Sequence, residues 1–314
     1  MARDTSAFTR LSVLPVAGAL GAEIRGLDLS KPLDDTAFAE LRQAWLQYHV
    51  VFLRDQKMAP GNMEDVARRF GDLAITSYTN PVPGHKFVHM NVRPAEAPRG
   101  SRNYGDFWHI DQTTREIPTG GFLLYAQMIP PYGGDTGFAN IGLAYDMLSP
   151  GMQALCDRLV CVHTPAGVYG DGSGSGGKRP FRLPGSDKAY TISDETLGQY
   201  LKKETLHPLV IEHPITGRKG IYYTPYANRF VDMTEAESKP ILDYLAGHIV
   251  RPEFTCRLRW EVGSLAIIDN NAMQHFAYQD YHGHRREMLR CEFSGTVRPF
   301  GPAMPRPESR AAAE

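Results

Sequence analysis

Apolar and polar positions first separate the chain into a few helices and many short strands. Phe38, Leu41, Trp45 and Tyr48 recur at helical spacing, so a helix runs from a cap at Asp34 or Asp35 to about His49. Val50-Val-Phe-Leu53 is too short and too uniformly apolar for a helix and reads as a buried strand. A second helix spans about Asn62 to Phe70 and stops at Gly71. Residues 73–106 are rich in Pro, Gly and Asn and read as a long surface loop with short strand pieces. Gly121 to Met128 is a strand, 130–135 a turn, and 141–158 a helical stretch broken near Pro150. Further strands fall at 208–212, 219–224, 254–260, 264–269 and 288–296. One helix interrupts them over 234–248, opened by the capping box Thr234-Glu-Ala-Glu237. Many short strands with few helices predict a mainly β (α+β) fold, a jelly roll carrying helices on its outside.

Composition narrows the class. The 314 residues suffice for one large domain, taken here as 1–300, followed by a disordered tail over 301–314. The 34 Lys and Arg nearly balance the 35 Asp and Glu, which gives no sign of nucleic acid or an anionic membrane as a partner. No apolar run approaches the roughly 18 residues of a bilayer span, and no signal peptide is read, so a cytoplasmic protein is expected. Cys156, Cys161, Cys256 and Cys291 form no C-x-x-C pair and are expected reduced and buried. Residues 164–188 carry seven glycines and read as a mobile active-site loop. Within it, Gly172 to Arg179 imitates a phosphate loop, but Arg179 follows Lys178 where Ser or Thr is required, and no strand precedes it.

The chemistry begins with His109-Ile110-Asp111. Two residues apart on an extended strand, both side chains point the same way. The spacing alone is a weak signal, and an exposed turn would share it. His275 follows the strand-like run Ser264 to Asp269 and is the best third partner. Two imidazoles and a carboxylate can occupy one face of a metal ion and leave the other open, as in non-haem Fe(II) oxygenases. Arg286 and Arg290 lie beyond, at an even spacing that puts both on one face of a strand. A guanidinium forks onto a carboxylate with two parallel hydrogen bonds, which lysine cannot imitate. His213, at a strand end before Pro214, is read as structural, and His282 and His284 as solvated turn residues. Tyr104, Phe107, Tyr222 and Tyr223 are read as core or pocket wall.

With these residues in view, the chain resembles the taurine/2,4-D dioxygenase family of Fe(II)- and 2-oxoglutarate-dependent oxygenases over about residues 9–300. Gly21 to Asp28, Arg68-Arg-Phe-Gly71, Trp108-His-Ile-Asp111, Gly133-Gly-Asp-Thr-Gly137, His213 to Arg218 and Trp260 to Asp269 carry the likeness. Glu204 to Val210 and Met233 to Pro240 look most like the aryloxypropionate-cleaving branch.

The resemblance implies a double-stranded β-helix core, with Fe(II) held by His109, Asp111 and His275. It implies 2-oxoglutarate and O2 as co-substrates, with Arg286 and Thr136 on the distal carboxylate of 2-oxoglutarate. Arg290 would grip an anionic group of a small organic substrate, a carboxylate, sulfonate or sulfate ester. The implied reaction is C–H hydroxylation, open to C–O, C–S or C–N cleavage, in an enzyme expected to form homo-oligomers.

Two departures stand out. His275-Phe276-Ala277 replaces the usual His-Arg-Ala, and Asp72 to Ser77 holds no histidine, which argues against taurine as substrate. Asp111 itself argues against a halogenase. A biosynthetic hydroxylase or desaturase of the same family, and a non-catalytic small-acid-binding jelly roll, are the alternative readings.

Overall fold

A computed structural model describes residues 8–76, 79–97, 105–169 and 201–307. In chain order, β1 (Ser12–Pro15) and β2 (Ala22–Arg25) precede helix α1 (Asp35–Tyr48). Then come β3 (Val50–Leu53), α2 (Pro60–Phe70), β4 (Leu73–Ala74), β5 (Asn80–Val82), β6 (His85–Arg93), β7 (Thr119–Met128) and β8 (Thr136–Asn140). Helices α3 (Ile141–Asp146) and α4 (Pro150–Cys156), strand β9 (Val160–His163) and helix α5 (Ala166–Tyr169) follow. The chain continues through β10 (Thr205–Pro208), β11 (Val210–Glu212), β12 (Lys219–Ile221), β13 (Ala227–Phe230) and α6 (Glu235–Ile249). It closes with β14 (Thr255–Leu258), β15 (Leu265–Asp269), β16 (Met273–Ala277) and β17 (Arg286–Ser294).

A nine-stranded sheet runs β1-β2-β3-β15-β7-β17-β6-β5, with β4 paired to the end of β17, among the described residues. It faces a three-stranded sheet, β14-β8-β16. The centre of the large sheet is buried on both faces, so β3, β15 and most of β7 read as unbroken apolar runs. In β15, Leu265 and Ile267 enter the core beneath α1 and α2, while Ala266 and Ile268 enter the core facing the small sheet. The same alternation divides Val51 and Leu53 from Val50 and Phe52 on β3. Two opposed sheets with helices outside make the jelly roll that the strand pattern predicts.

The helices start where their caps lie. Asp34 accepts from the Ala37 N–H at 2.8 Å at the start of α1, and the chain leaves that helix at His49 in the left-handed region, φ 67°. Thr234 and Glu237 form the expected reciprocal box at α6. The break at Pro150 separates α3 from α4. All four cysteines are free and buried.

Several expectations change. The 73–106 segment is not mainly loop: β6 is a nine-residue strand on the edge side of β17. Its residues alternate irregularly between buried and half-buried, which hid it. β8, whose five residues are all buried, shows no apolar run in sequence because Gly137 breaks its pattern. That glycine is a packing requirement, since a Cβ there would lie 2.9 Å from the Trp108 ring. Residues 301–304 are part of the fold: Gly301 and Met304 form a β-bridge, and the Phe300 carbonyl accepts from Glu212 N–H at 2.7 Å. Most of the glycine-rich 164–188 segment, Tyr104 and residues 308–314 lie outside the described residues.

Candidate active site

The site opens where the two sheets meet. β16 pairs with β8 so that His275 lies opposite Phe138 and Ala277 opposite Thr136. His109 joins His275 in a single β-bridge, exchanging both backbone hydrogen bonds at 2.9 and 3.1 Å. The two rings lie 4.1 Å apart between centroids. Beyond this bridge the chain does not continue as a strand; it turns at Asp111, and Gln112 takes φ 57°. The same-side placement expected from strand geometry is instead imposed by Asn270. Its Oδ1 accepts from Asp111 N–H at 3.0 Å, and its Nδ2 donates to Asp111 C=O at 3.1 Å. Nδ2 also reaches the Thr119 carbonyl at 2.9 Å.

His109, Asp111 and His275 are buried, and their candidate ligand atoms all lie within 4.8 Å of one another, near enough for one ion about 2 Å from each. His109 Nδ1–H donates to the Phe107 carbonyl at 2.7 Å, which leaves the Nε2 lone pair for a metal. Burial, with His109 alongside, pushes His275 down to about 3, so it stays a neutral donor at ordinary pH. Burial would raise the Asp111 carboxyl, but Arg290 and the two histidines outweigh it and hold it well below the usual carboxylate range. Two neutral imidazoles and one ionised carboxylate suit a divalent iron.

Arg286, Met288, Arg290 and Glu292 share one face of β17, the face turned into the roll. Arg286 is partly buried. Its Nε is sealed from solvent and meets no acceptor among the described residues, and its guanidinium stands 6.0 Å from the Trp260 ring. Burial lowers its pKa against the pull of Tyr281 and Asp135, yet a guanidinium stays charged. Gly134, at φ 70°, makes room for it: a Cβ would come within 3.3 Å of Arg286 Cδ. Thr136 accepts the indole N–H of Trp260 at 2.9 Å, which leaves its own hydroxyl hydrogen to donate elsewhere. Thr136 and Arg286 thus flank one indole. This leaves a partly buried cation whose Nε has no acceptor among the described residues, and an available donor, beside the candidate triad.

Residues 12–292 match the family described as "Taurine catabolism dioxygenase TauD, TfdA family". The chain belongs to this family. It is a 2-oxoglutarate-dependent non-haem iron dioxygenase. An α-ketoglutarate-dependent (2-oxoglutarate-dependent) sulfate ester dioxygenase of Pseudomonas putida is 32% identical over 91% of this chain and 90% of its own length. An (S)-phenoxypropionate/α-ketoglutarate dioxygenase of Sphingobium herbicidovorans is 27% identical over 84% of this chain and 88% of its own. A crystal structure of a putative α-ketoglutarate-dependent taurine dioxygenase from Burkholderia xenovorans superposes with a TM-score of 0.77 at 30% identity. It covers 94% of this chain and 96% of that one.

Within this dioxygenase, Arg290 sits differently from a free surface cation. Its Nη2 donates to Asp111 Oδ2 at 2.5 Å, its Nε to Glu292 Oε1 at 2.7 Å, and its Cζ lies 3.6 Å from the centre of the Phe122 ring. Asn270, Glu292 and Gln112 escaped the sequence reading. Glu292 could have been found by parity, as a carboxylate two positions past Arg290 on the same strand face. Asn270 could not, because nothing local marks which backbone its amide will meet.

Two other histidines are held inside the fold by hydrogen bonds. His213 Nδ1 accepts from the Ile215 and Thr216 N–H groups, so its Nε2–H donates to Asp269 Oδ2 at 2.9 Å, both residues being buried. His207 Nε2–H donates to the carbonyls of Thr113 and Arg115 at 2.9 and 3.1 Å, beneath the Asp111 turn. His282 and His284 are not buried, as expected of turn residues.

Proposed function

We propose that this dioxygenase hydroxylates a C–H bond of a small organic anion, with a sulfate ester or an aryloxy acid as the leading classes. Where the attacked carbon bears oxygen, the product collapses with C–O cleavage. The observation that carries the site assignment is Arg286, a charged group inside the roll whose sealed Nε has no acceptor among the described residues. Leaving such a donor unpaired costs about 1–3 kcal/mol, more for a charged group, and a dicarboxylate co-substrate removes that cost.

In this reading His109, His275 and Asp111 hold the iron, and the imidazoles donate through Nε2. Bound iron, with O2 and 2-oxoglutarate, supplies the oxidising power, and succinate and CO2 are released. Arg286 forks onto the distal carboxylate of 2-oxoglutarate, and the Thr136 hydroxyl donates to the same group. Trp260 fixes the Thr136 rotamer and walls this end from water. Arg290 faces the substrate side and shares its charge among Asp111, Glu292 and the incoming anion. The apolar Phe122 face beneath it strengthens that attraction by excluding solvent. The names of the sulfate ester and phenoxypropionate relatives support these two substrate classes.

The test is anaerobic. Fe(II) and then 2-oxoglutarate are added to apo protein, and the visible metal-to-ligand charge-transfer band is followed. The band is expected only with both present and is lost in His275→Ala. Alkyl sulfates and aryloxypropionates are then screened for substrate-dependent succinate release. Folded protein that gives no band overturns the reading.

A further inference from the structure

Glu292 is a fully buried carboxylate that no step of the reaction uses. Both of its oxygens are engaged by groups that serve Asp111. Oε1 accepts from Arg290 Nε at 2.7 Å, and Arg290 in turn donates through Nη2 to Asp111 Oδ2. Oε2 accepts from Gln112 Nε2 at 2.6 Å, and Gln112 is the residue that follows Asp111 in the turn. Gln112 also holds the strained step of that turn, with φ 57°. Glu292 therefore grips the side chain of Asp111 through one neighbour and its backbone through the other.

We propose that Glu292 is a positioning residue for the metal-binding carboxylate. It fixes Arg290 against Asp111 Oδ2 and fixes the turn that carries Asp111, so Oδ1 is the oxygen left unclaimed for the metal. The proposal rests on the iron-site reading above. Its chemistry is specific to a carboxylate. Both partners, Arg290 Nε–H and Gln112 Nε2–H, are donors, and only a carboxylate offers each of them an oxygen. An amide at 292 keeps the shape but has one acceptor and adds a donor, so one of the two arms must release. The buried carboxylate also balances charge: Asp111 and Glu292 bracket Arg290, and the divalent ion completes the group.

The test reads metal affinity directly, with no turnover. Apo wild type, Glu292→Gln, Gln112→Leu and the double variant are titrated with Mn(II), and free ion is followed by electron paramagnetic resonance. Glu292→Gln is expected to raise the Mn(II) Kd roughly 10- to 100-fold, the range for partners that orient metal ligands. Gln112→Leu, at a half-buried position that tolerates an apolar side chain, is expected to raise it by a smaller factor. The double variant should match Glu292→Gln within about twofold, because Gln112 acts through Glu292 and coupled residues are not additive. A Kd within twofold of wild type in both single variants overturns the proposal, as do strictly additive effects. If Glu292→Gln does not fold, Gln112→Leu decides alone: an unchanged Kd overturns the brace. Wild type that binds no Mn(II) overturns the iron-site reading itself, a result distinct from wild type that binds while the variants bind equally well.

Discussion

Asn270 hydrogen-bonds both backbone groups of Asp111 with one side-chain amide, doing for this turn what a neighbouring strand would do for a continuous one. The amide lies at the end of β15, in the wall of the core. The turn is therefore registered to the large sheet, while His275 comes from the small one. The candidate triad is assembled across the roll, and Asn270 ties its carboxylate turn to the seam.

Replacing Asn270 by Ala strips partners from the Asp111 N–H and from the Asp111 and Thr119 carbonyls at a buried site. Each orphaned group costs about 1–3 kcal/mol, less what water recovers, so a net loss of about 2–4 kcal/mol is expected in urea unfolding of apo protein. Metal affinity should fall in parallel. An Asn270→Ala protein with wild-type stability and wild-type Mn(II) binding would remove the amide from this role.

Arg286→Lys keeps the charge and loses the fork. One charge-assisted hydrogen bond is worth about 1.5–3 kcal/mol. The KM for 2-oxoglutarate, read from succinate formation, should therefore rise roughly 10- to 100-fold, while Mn(II) affinity stays unchanged. An unchanged KM would place the co-substrate carboxylate elsewhere.

Acid should weaken the fold through His207. Burial pushes its pKa from 6.5 to about 4, against the pull of the Thr113 and Arg115 carbonyls. Between these values the unfolded chain binds a proton that the folded chain refuses, so stability is full above pH 6.5 and falls as pH drops towards 4. The loss amounts to about 3 kcal/mol for this group. His163, fully buried beside it and also held neutral, acts in the same direction. Urea unfolding of apo protein between pH 7 and 4 measures the slope. His207→Gln can still donate to the Thr113 carbonyl but cannot titrate, so its slope in this window should be shallower; an equal slope would contradict the assignment.

Much of the fold was legible because local physics determines it. The α1 stripe, the Thr234–Glu237 box, the break at Pro150 and the apolar run of β15 each follow from side chains a few residues apart. β8 and β6 were not legible: their strand character comes from partners far along the chain, Phe138 opposite His275 and His89 opposite Arg290.

The same division runs through the site. Sequence by itself determined the inventory: an His-x-Asp pair, a later histidine, two arginines at even spacing and a threonine after a Gly-Gly turn. Side-chain type and the two-residue period of a strand are properties of neighbours in the chain, so they survive without a fold. Tertiary structure alone decided that Asp111 lies in a turn and not on a strand, that Asn270 holds it there, and that Arg290 rests between two carboxylates while Arg286 pairs with none among the described residues. The bonds from Asn270 and Arg290 to Asp111, and from Gln112 to Glu292, join groups some 150 to 180 residues apart, and sheet packing, not local propensity, brings such groups together.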